Sequence, residues 1–374
     1  MRQIITRKAR GFSLIELMVA MALGLIIMAA ATQLFKNGMD ATRVVTQRAE
    51  MQENIRAAVN LMAKDVSMAG AGLPSGGLAL PNGGAATASL FGCDSGRCYL
   101  ANNTYPSGTI GSGASTTTVN NYMYGLIPGS NNGMETGGPT TIAASAVNGA
   151  PDAITVIYAD YSFPLSQYTV TIPTSTGNSI TVTPPGPAPF PQILDPTGIK
   201  VGDLILLSAN GNYAVGEVTS ITNAGGTIGF ANADPLNINQ SGAANNRIGS
   251  LFGGANPKAY RIYAVTYFFE VPAGQLPRLM RQVNGQKPVP VADNIIDLAI
   301  TYDMCDNTNT GGGGPITCAG VANPIVSGFS PNQIKKVNIV VTGQALVANG
   351  KNSQSLALAT SVSTRNLVFK DRYN

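Results

Sequence analysis

The chain has no histidine and no tryptophan in 374 residues. Without histidine there is no Ser-His-Asp or Cys-His nucleophile and no imidazole ligand for a metal. Charge is scarce as well. Asp, Glu, Lys and Arg make up 11% of the residues, well below the usual quarter or so. The excess charge sits in one place. The formal net charge is +4, and Arg2, Arg7, Lys8 and Arg10 supply four cations with no acid among the first eleven residues. The rest of the chain is neutral on balance, so no basic surface for nucleic acid is expected. These absences point away from an enzyme, leaving carboxylate chemistry as the open class, and no cofactor is expected.

Cysteine is sparse: Cys93, Cys98, Cys305 and Cys318 form two local pairs, with four and twelve residues between their members. In an exported domain an even count favours disulfides. The spacing suggests Cys93–Cys98 and Cys305–Cys318, although four cysteines allow three connectivities. A four-thiolate metal site is the alternative, and neither pair has the C-x-x-C spacing that would favour it.

What is present begins with a long apolar run. From Phe12 to Phe35, 24 residues, the one charged residue is Glu16. At about 1.5 Å per residue such a helix reaches roughly 36 Å, enough to cross a bilayer core of roughly 30 Å. The cations before it favour a cytoplasmic N-terminus. A carboxylate in an apolar helix costs about 2–3 kcal/mol at the bilayer centre and less near the interface, so Glu16 calls for a partner. A secretory signal also has a basic start, and Ala29-Ala30-Ala31 offers small residues for its cleavage. Its apolar core is about 7–15 residues, however, shorter than this one. A plain transmembrane anchor shares the hydropathy.

Gly11-Phe12-Ser13-Leu14-Ile15-Glu16-Leu17 separates these readings. Behind the basic leader it resembles the class III signal of type IV pilins and type II secretion pseudopilins. That resemblance implies a prepilin peptidase that cuts between Gly11 and Phe12 and methylates the new Phe12 amine. It also implies that Glu16 guides docking among other pilins. The freed amine, on the same chain or a neighbour, lies one helical turn from Glu16 and can serve as its counter-charge.

The helix is expected to continue. Val44, Met51, Ile55, Val59, Met62 and Val66 repeat at helical spacing, with Arg48, Glu50, Glu53, Arg56, Lys64 and Asp65 between them. Gly70-Ala71-Gly72-Leu73-Pro74 is a stop signal. One helix from Phe12 to near Ala69 follows, its second half amphipathic and laid on a sheet. Gly24 is its weak point: it permits local unwinding or the close approach of another helix. Many major pilins place a proline later in this segment, where this chain has Gln33, which weighs against a bulk filament subunit.

Residues 70–149 are rich in Gly, Ser, Thr and Asn and read as a long insertion, either bound to a partner or flexible. Strand signals then recur, with a hairpin at Asn210-Gly211-Asn212 and the longest run from Tyr260 to Val271. Val291 to Ile296 reads as a turn or short helix. The expected organisation is a leader at 1–11, a transmembrane and assembly half-helix at 12–35, an amphipathic half at 36–69, the insertion at 70–149 and a β-rich domain at 150–374. The class is α+β, pilin-like, a long N-terminal helix packed on an antiparallel sheet.

Several segments in order resemble the PilW family of minor pilins, and also the J-type minor pseudopilin. They are Asp65 to Gly70, Pro151 to Val156, Tyr260 to Ile262, Pro277 to Arg281, Val291 to Leu298 and Ser363 to Leu367. The resemblance implies assembly rather than catalysis, with a prepilin peptidase, major and minor pilins and the inner-membrane assembly platform as partners. It places the protein in the inner membrane before assembly and in the pilus at the cell surface afterwards. A minor pseudopilin of a secretion system is the alternative; a membrane-tethered binding protein is a third.

Other constellations are weaker. Asp303 and Asp306, with Asn307 and Asn309, could supply hard oxygen ligands for Ca²⁺, but turn-forming Asp and Asn explain the pattern as well. Gly311 to Gly314 lacks the Lys-Ser/Thr that follows a phosphate cradle and reads as a loop. Glu217 and Asp203, in adjacent strand candidates, could form a carboxylate pair, but nothing fixes a cleft between them, and they read as solvated charges at a sheet edge.

Overall fold

The computed structural model describes residues 11–74, 76–80, 90–100, 109–110, 117–118, 121–135, 150–186, 198–222, 226–239, 247–253, 257–272, 277–305, 318–345 and 354–367. The chain divides into two compact units, one of residues 1–50 with 345–354 and one of residues 51–344 with 355–374.

Among the described residues one α-helix, α1, runs from Leu14 to Ser67. It is long and apolar enough to cross a membrane, and none of its most apolar window is buried. In the first unit Leu14, Leu25, Met28 and Phe35 all stand exposed. The polar atoms here are satisfied locally, as when the Thr32 hydroxyl donates to the Met28 carbonyl at 2.8 Å.

In the second unit α1 becomes amphipathic. Met51, Ile55, Ala58, Val59, Met62, Asp65 and Val66 are its buried face. Asp65 departs from the sequence reading, which grouped it with the outward charges. The helix ends where Met68 and Ala69 bond back three residues, to Asp65 and Val66. Gly70 then turns at φ 76° and donates its N–H to the Ile157 carbonyl at 2.8 Å. The glycine is needed twice over, because a Cβ there would lie 2.6 Å from Leu367.

Among the described residues, nineteen strands follow. β1 is Leu78–Ala79, β2 Thr109–Ile110, β3 Thr117–Thr118, β4 Tyr122–Met123, β5 Leu126–Gly129 and β6 Ala153–Ala159. β7 is Thr169–Thr171, β8 Ser179–Thr183, β9 Leu204–Ala209, β10 Asn212–Glu217, β11 Ser220–Thr222 and β12 Thr227–Gly229. β13 is Lys258–Glu270, β14 Arg278–Val283, β15 Val289–Asp293, β16 Ile295–Cys305, β17 Cys318–Val321, β18 Ile334–Ala345 and β19 Gln354–Ser363.

The main sheet has seven strands. Its order is β10-β9-β13-β14-β15, with β6 also on β13 and β5 on β6. β13 is its axis: the first half pairs with β9 and the second half lies between β6 and β14, all antiparallel. A four-stranded sheet runs β11-β12-β8-β7 and another β17-β16-β18-β19. The two-residue turn between β9 and β10 holds Asn210 at φ 51° and Gly211 at φ 77°, the two left-handed positions of a type I′ hairpin. Where a turn or short helix was expected, β15 and β16 meet at Asn294, which takes φ 60° and carries the chain from the main sheet into the sheet of β16 and β18. That residue is what broke the sequence pattern.

β9 explains its own uninterrupted apolar run. Leu204 and Leu206 enter one core, and Ile205 and Leu207 enter a second core shared with Val170, Ile180 and Phe230. A strand buried on both faces loses the alternation of a half-exposed one. The first core also takes Leu78, Leu80, Phe91, Tyr99, Leu100 and Tyr124 from the Gly-rich stretch 70–149. Composition hid them, because isolated apolar residues between glycines have no period.

Candidate functional site

Two places concentrate function-bearing residues. The first is the helix start. Gly11, Phe12 and Ser13 precede α1 and are not helical, and Phe12 is 88% exposed. A Cβ on Gly11 would meet nothing within 4 Å. The Gly11–Phe12 peptide is therefore open to a protease, and nothing in the chain's own packing requires glycine there. Ser13 stands at the helix cap and Glu16 at the third helical position. The Ser13 backbone N–H donates to Glu16 Oε2 at 2.9 Å, half of a capping box. Glu16 is thus already turned back toward residues 12 and 13, where a cut would create a free amine.

The second place lies in the second unit, at the far end of α1. Asp65, only 2% exposed, is met from three strands. It accepts from Tyr158 Oη of β6 at 3.0 Å, from Tyr267 Oη of β13 at 2.6 Å and from Arg281 Nε of β14 at 2.9 Å. The register explains the meeting, for Tyr267 lies opposite Arg281 on β14 and Tyr263 opposite Tyr158 on β6. Burial, then the Asp65 carboxylate, pushes both tyrosine hydroxyls up, so they remain donors at any physiological pH. A buried charge held by three donors is a fastener and has no open coordination site.

The other segments that carried the family resemblance do similar work. Asp152 accepts from the Asn131 N–H at 2.8 Å and the Ile300 N–H at 2.7 Å. Its burial pushes the carboxyl up to about 6. Arg261 grips Asp160 through Nε at 2.8 Å and Nη2 at 2.5 Å, and lies over the Phe163 ring at 4.6 Å. The Thr364 hydroxyl donates to the Ile334 carbonyl at 2.6 Å. Sequence reasoning picked these segments out by likeness and missed what joins them. The available signal was Asp65, which falls three residues after Met62 on the apolar face.

Glu217 and Asp203 correct the sequence reading. Both are buried, Glu217 completely, and the carboxyl beside Glu217 is that of Asp234. Glu217 Oε2 accepts from the Leu236 N–H at 2.9 Å, and Asp234 accepts from the Ile238 and Asn239 N–H groups at 2.7 and 2.9 Å. Burial, then Asp234, pushes the Glu217 carboxyl up to about 10. The pair therefore holds a proton at neutral pH. Gly285 closes over it, since a Cβ there would lie 2.1 Å from Glu217 Oε1, so no cleft opens onto the pair.

Cys93 and Cys98 are joined in a disulfide. Asp94 braces the loop they close, accepting from the Gly96 N–H at 2.7 Å and from Tyr99 Oη at 2.6 Å. The backbones of Cys305 and Cys318 lie opposite one another in the β16–β17 ladder, and their side chains lie outside the described residues. Asp303 is engaged by Lys336 at 3.4 Å and by Asn338 Nδ2 at 2.7 Å. Asp306 and Gly311 to Gly314 lie outside the described residues. Among the described residues no three Asp, Glu, Cys or His side chains are grouped to hold a metal.

Comparison with known proteins bears on the first place. Residues 6–32 match the family model for the prokaryotic N-terminal methylation motif. The pilin-like protein PilA3 of Thermus thermophilus is 34% identical over 62 residues, covering 17% of this chain and 27% of that protein. No solved structure matches the chain. The N-terminal segment is thus a type IV pilin-like signal. The family match is confined to that segment, and the likeness to the relative spans about a quarter of the relative's length.

Proposed function

We propose that the chain is a minor pilin, of the kind the PilW resemblance suggests, acting in the initiation or tip complex of a type IV pilus. Its work is assembly, with no reaction catalysed. The observation that carries this reading is the start of α1: an accessible Gly11–Phe12 bond, Glu16 one turn on, and an apolar helix with every side exposed. The protein waits in the inner membrane and loses residues 1–11. It then lays its helix among those of other pilins drawn from the membrane by an assembly platform, and ends at the cell surface. Glu16 exchanges its Ser13 contact for a Phe12 amine, on its own chain or its neighbour's. An unpaired carboxylate in that apolar setting costs several kcal/mol, so the pairing selects the correct axial position.

A minor pseudopilin of a type II secretion system would use the same signal and the same helix. Deleting the gene separates the two, through loss of pili in one case and loss of an exported enzyme in the other. The Glu16→Ala variant tests the mechanism. It should be cut and methylated as wild type yet be missing from sheared filaments. Normal recovery of the variant from filaments would remove Glu16 from the account.

A further inference from the structure

β19 is the edge of its sheet: β18 lies on one side, and no described strand lies on the other. Its ten residues, Gln354–Ser363, contain no charge, no proline and no glycine. Proteins commonly blunt such edges because unpaired N–H and C=O groups recruit further strands. Among the described residues the other edges of the three larger sheets are blunted. β7 and β11 have three residues, β17 has four, and β5 has four that are buried and include Pro128. β15 carries Pro290 and Asp293 and is paired across a bulge, and the end of β10 is buried around Glu217. β19 has none of these protections.

The direction of its free groups follows from the ladder. Thr364 donates its N–H to the Lys335 carbonyl at 3.1 Å, so residue 364 faces β18. By the alternation of a strand, residues 355, 357, 359, 361 and 363 turn their backbone groups outward. These are Ser355, Ala357, Ala359, Ser361 and Ser363, all exposed.

The pattern is also close to a palindrome. Folded back on itself antiparallel about Ala359, β19 sets Ala357 against Ser361 and Ser355 against Ser363, small against small. The alternate positions set Leu356 against Val362 and Leu358 against Thr360. With no charge to repel its own image, the strand fits a second copy of itself in register.

We infer that β19 is a self-pairing edge, through which two copies of this chain join their four-stranded sheets into one. The inference rests on the edge and is independent of the pilin reading.

The test uses the full chain in detergent micelles, with light scattering and mild oxidation. Wild type should dimerise, and Ala359→Cys should cross-link to a second Ala359→Cys chain, while Thr301→Cys, exposed on β16, should not. Ala359→Lys sets two cations opposite each other and should raise the dissociation constant by about tenfold or more without changing the melting temperature. The combination Ala357→Lys with Ser361→Lys should also dissociate the dimer, and Ala357→Lys with Ser361→Glu should retain it. Three results would overturn the proposal: a monomer at every concentration, a dimer indifferent to Ala359→Lys, or an Ala359→Cys chain that cross-links only to a different protein.

Discussion

At the scale of single residues, buried charge decides the most. Asp65 gathers Tyr158, Tyr267 and Arg281, and its removal leaves Arg281 mostly buried with its charge unpaired. Asp65→Ala should lower unfolding stability by about 3 kcal/mol. A cycle with Arg281→Met should show coupling of about 1 kcal/mol or more, and additive losses would mean the pair is not a unit. Glu217 gives a pH dependence whose sign is fixed. The folded chain keeps the Glu217 proton up to about 10, while the unfolded chain releases it near the ordinary glutamate value of 4.5. Folding therefore takes up a proton between those limits, and stability falls as pH rises through them, by up to about 1.4 kcal/mol per pH unit. Asp152, pushed up to about 6, acts in the same direction over a narrower window. Glu217→Gln keeps a donor toward Asp234 without the titration. It should be more stable than wild type at pH 8 and show a flatter profile in denaturant titrations. A variant with the wild-type slope would place the proton elsewhere.

At the scale of elements, what could be read from sequence was local and what could not was remote. The β9–β10 hairpin was legible because Asn210 and Gly211 supply the two left-handed residues within the turn itself. The helix and its end were legible from spacing and from Gly70. Asp65 was not, because its partners lie 93, 202 and 216 residues away in sequence and only the register of β6, β13 and β14 brings them together. The partnership of Glu217 with Asp234 was hidden for the same reason, and the core residues of the Gly-rich stretch because they follow no period. Glycine carries different meanings along the chain. A Cβ on Gly125 would lie 2.5 Å from the Gly70 backbone, so Gly125→Ala should lower the melting temperature, by about 1–3 kcal/mol of stability. A Cβ on Gly24 would meet nothing within 4 Å and alanine is the better helix former, so Gly24→Ala should not lower the melting temperature. Thermal scans of the two variants side by side check the contrast, and equal losses would contradict it.

At the scale of the whole molecule, the chain combines a membrane-seeking helix with an antiparallel β domain fastened to the end of that helix by buried polar groups. The first part is apolar and long enough to cross a membrane, and in the proposed function it is what packs among other pilins. The second explains how a domain so poor in charge keeps a defined structure. The proposed role of the first part depends on one event at the helix start, since without a cut the Phe12 amine does not exist and, among the described residues, Glu16 is met by the Ser13 N–H. The most direct measurement is therefore the N-terminus of the protein recovered from its own host, by intact mass and peptide sequencing. The account predicts a chain that begins at N-methylated Phe12. A chain still beginning at Met1, or one cut after Ala31, would contradict it and remove the filament mechanism.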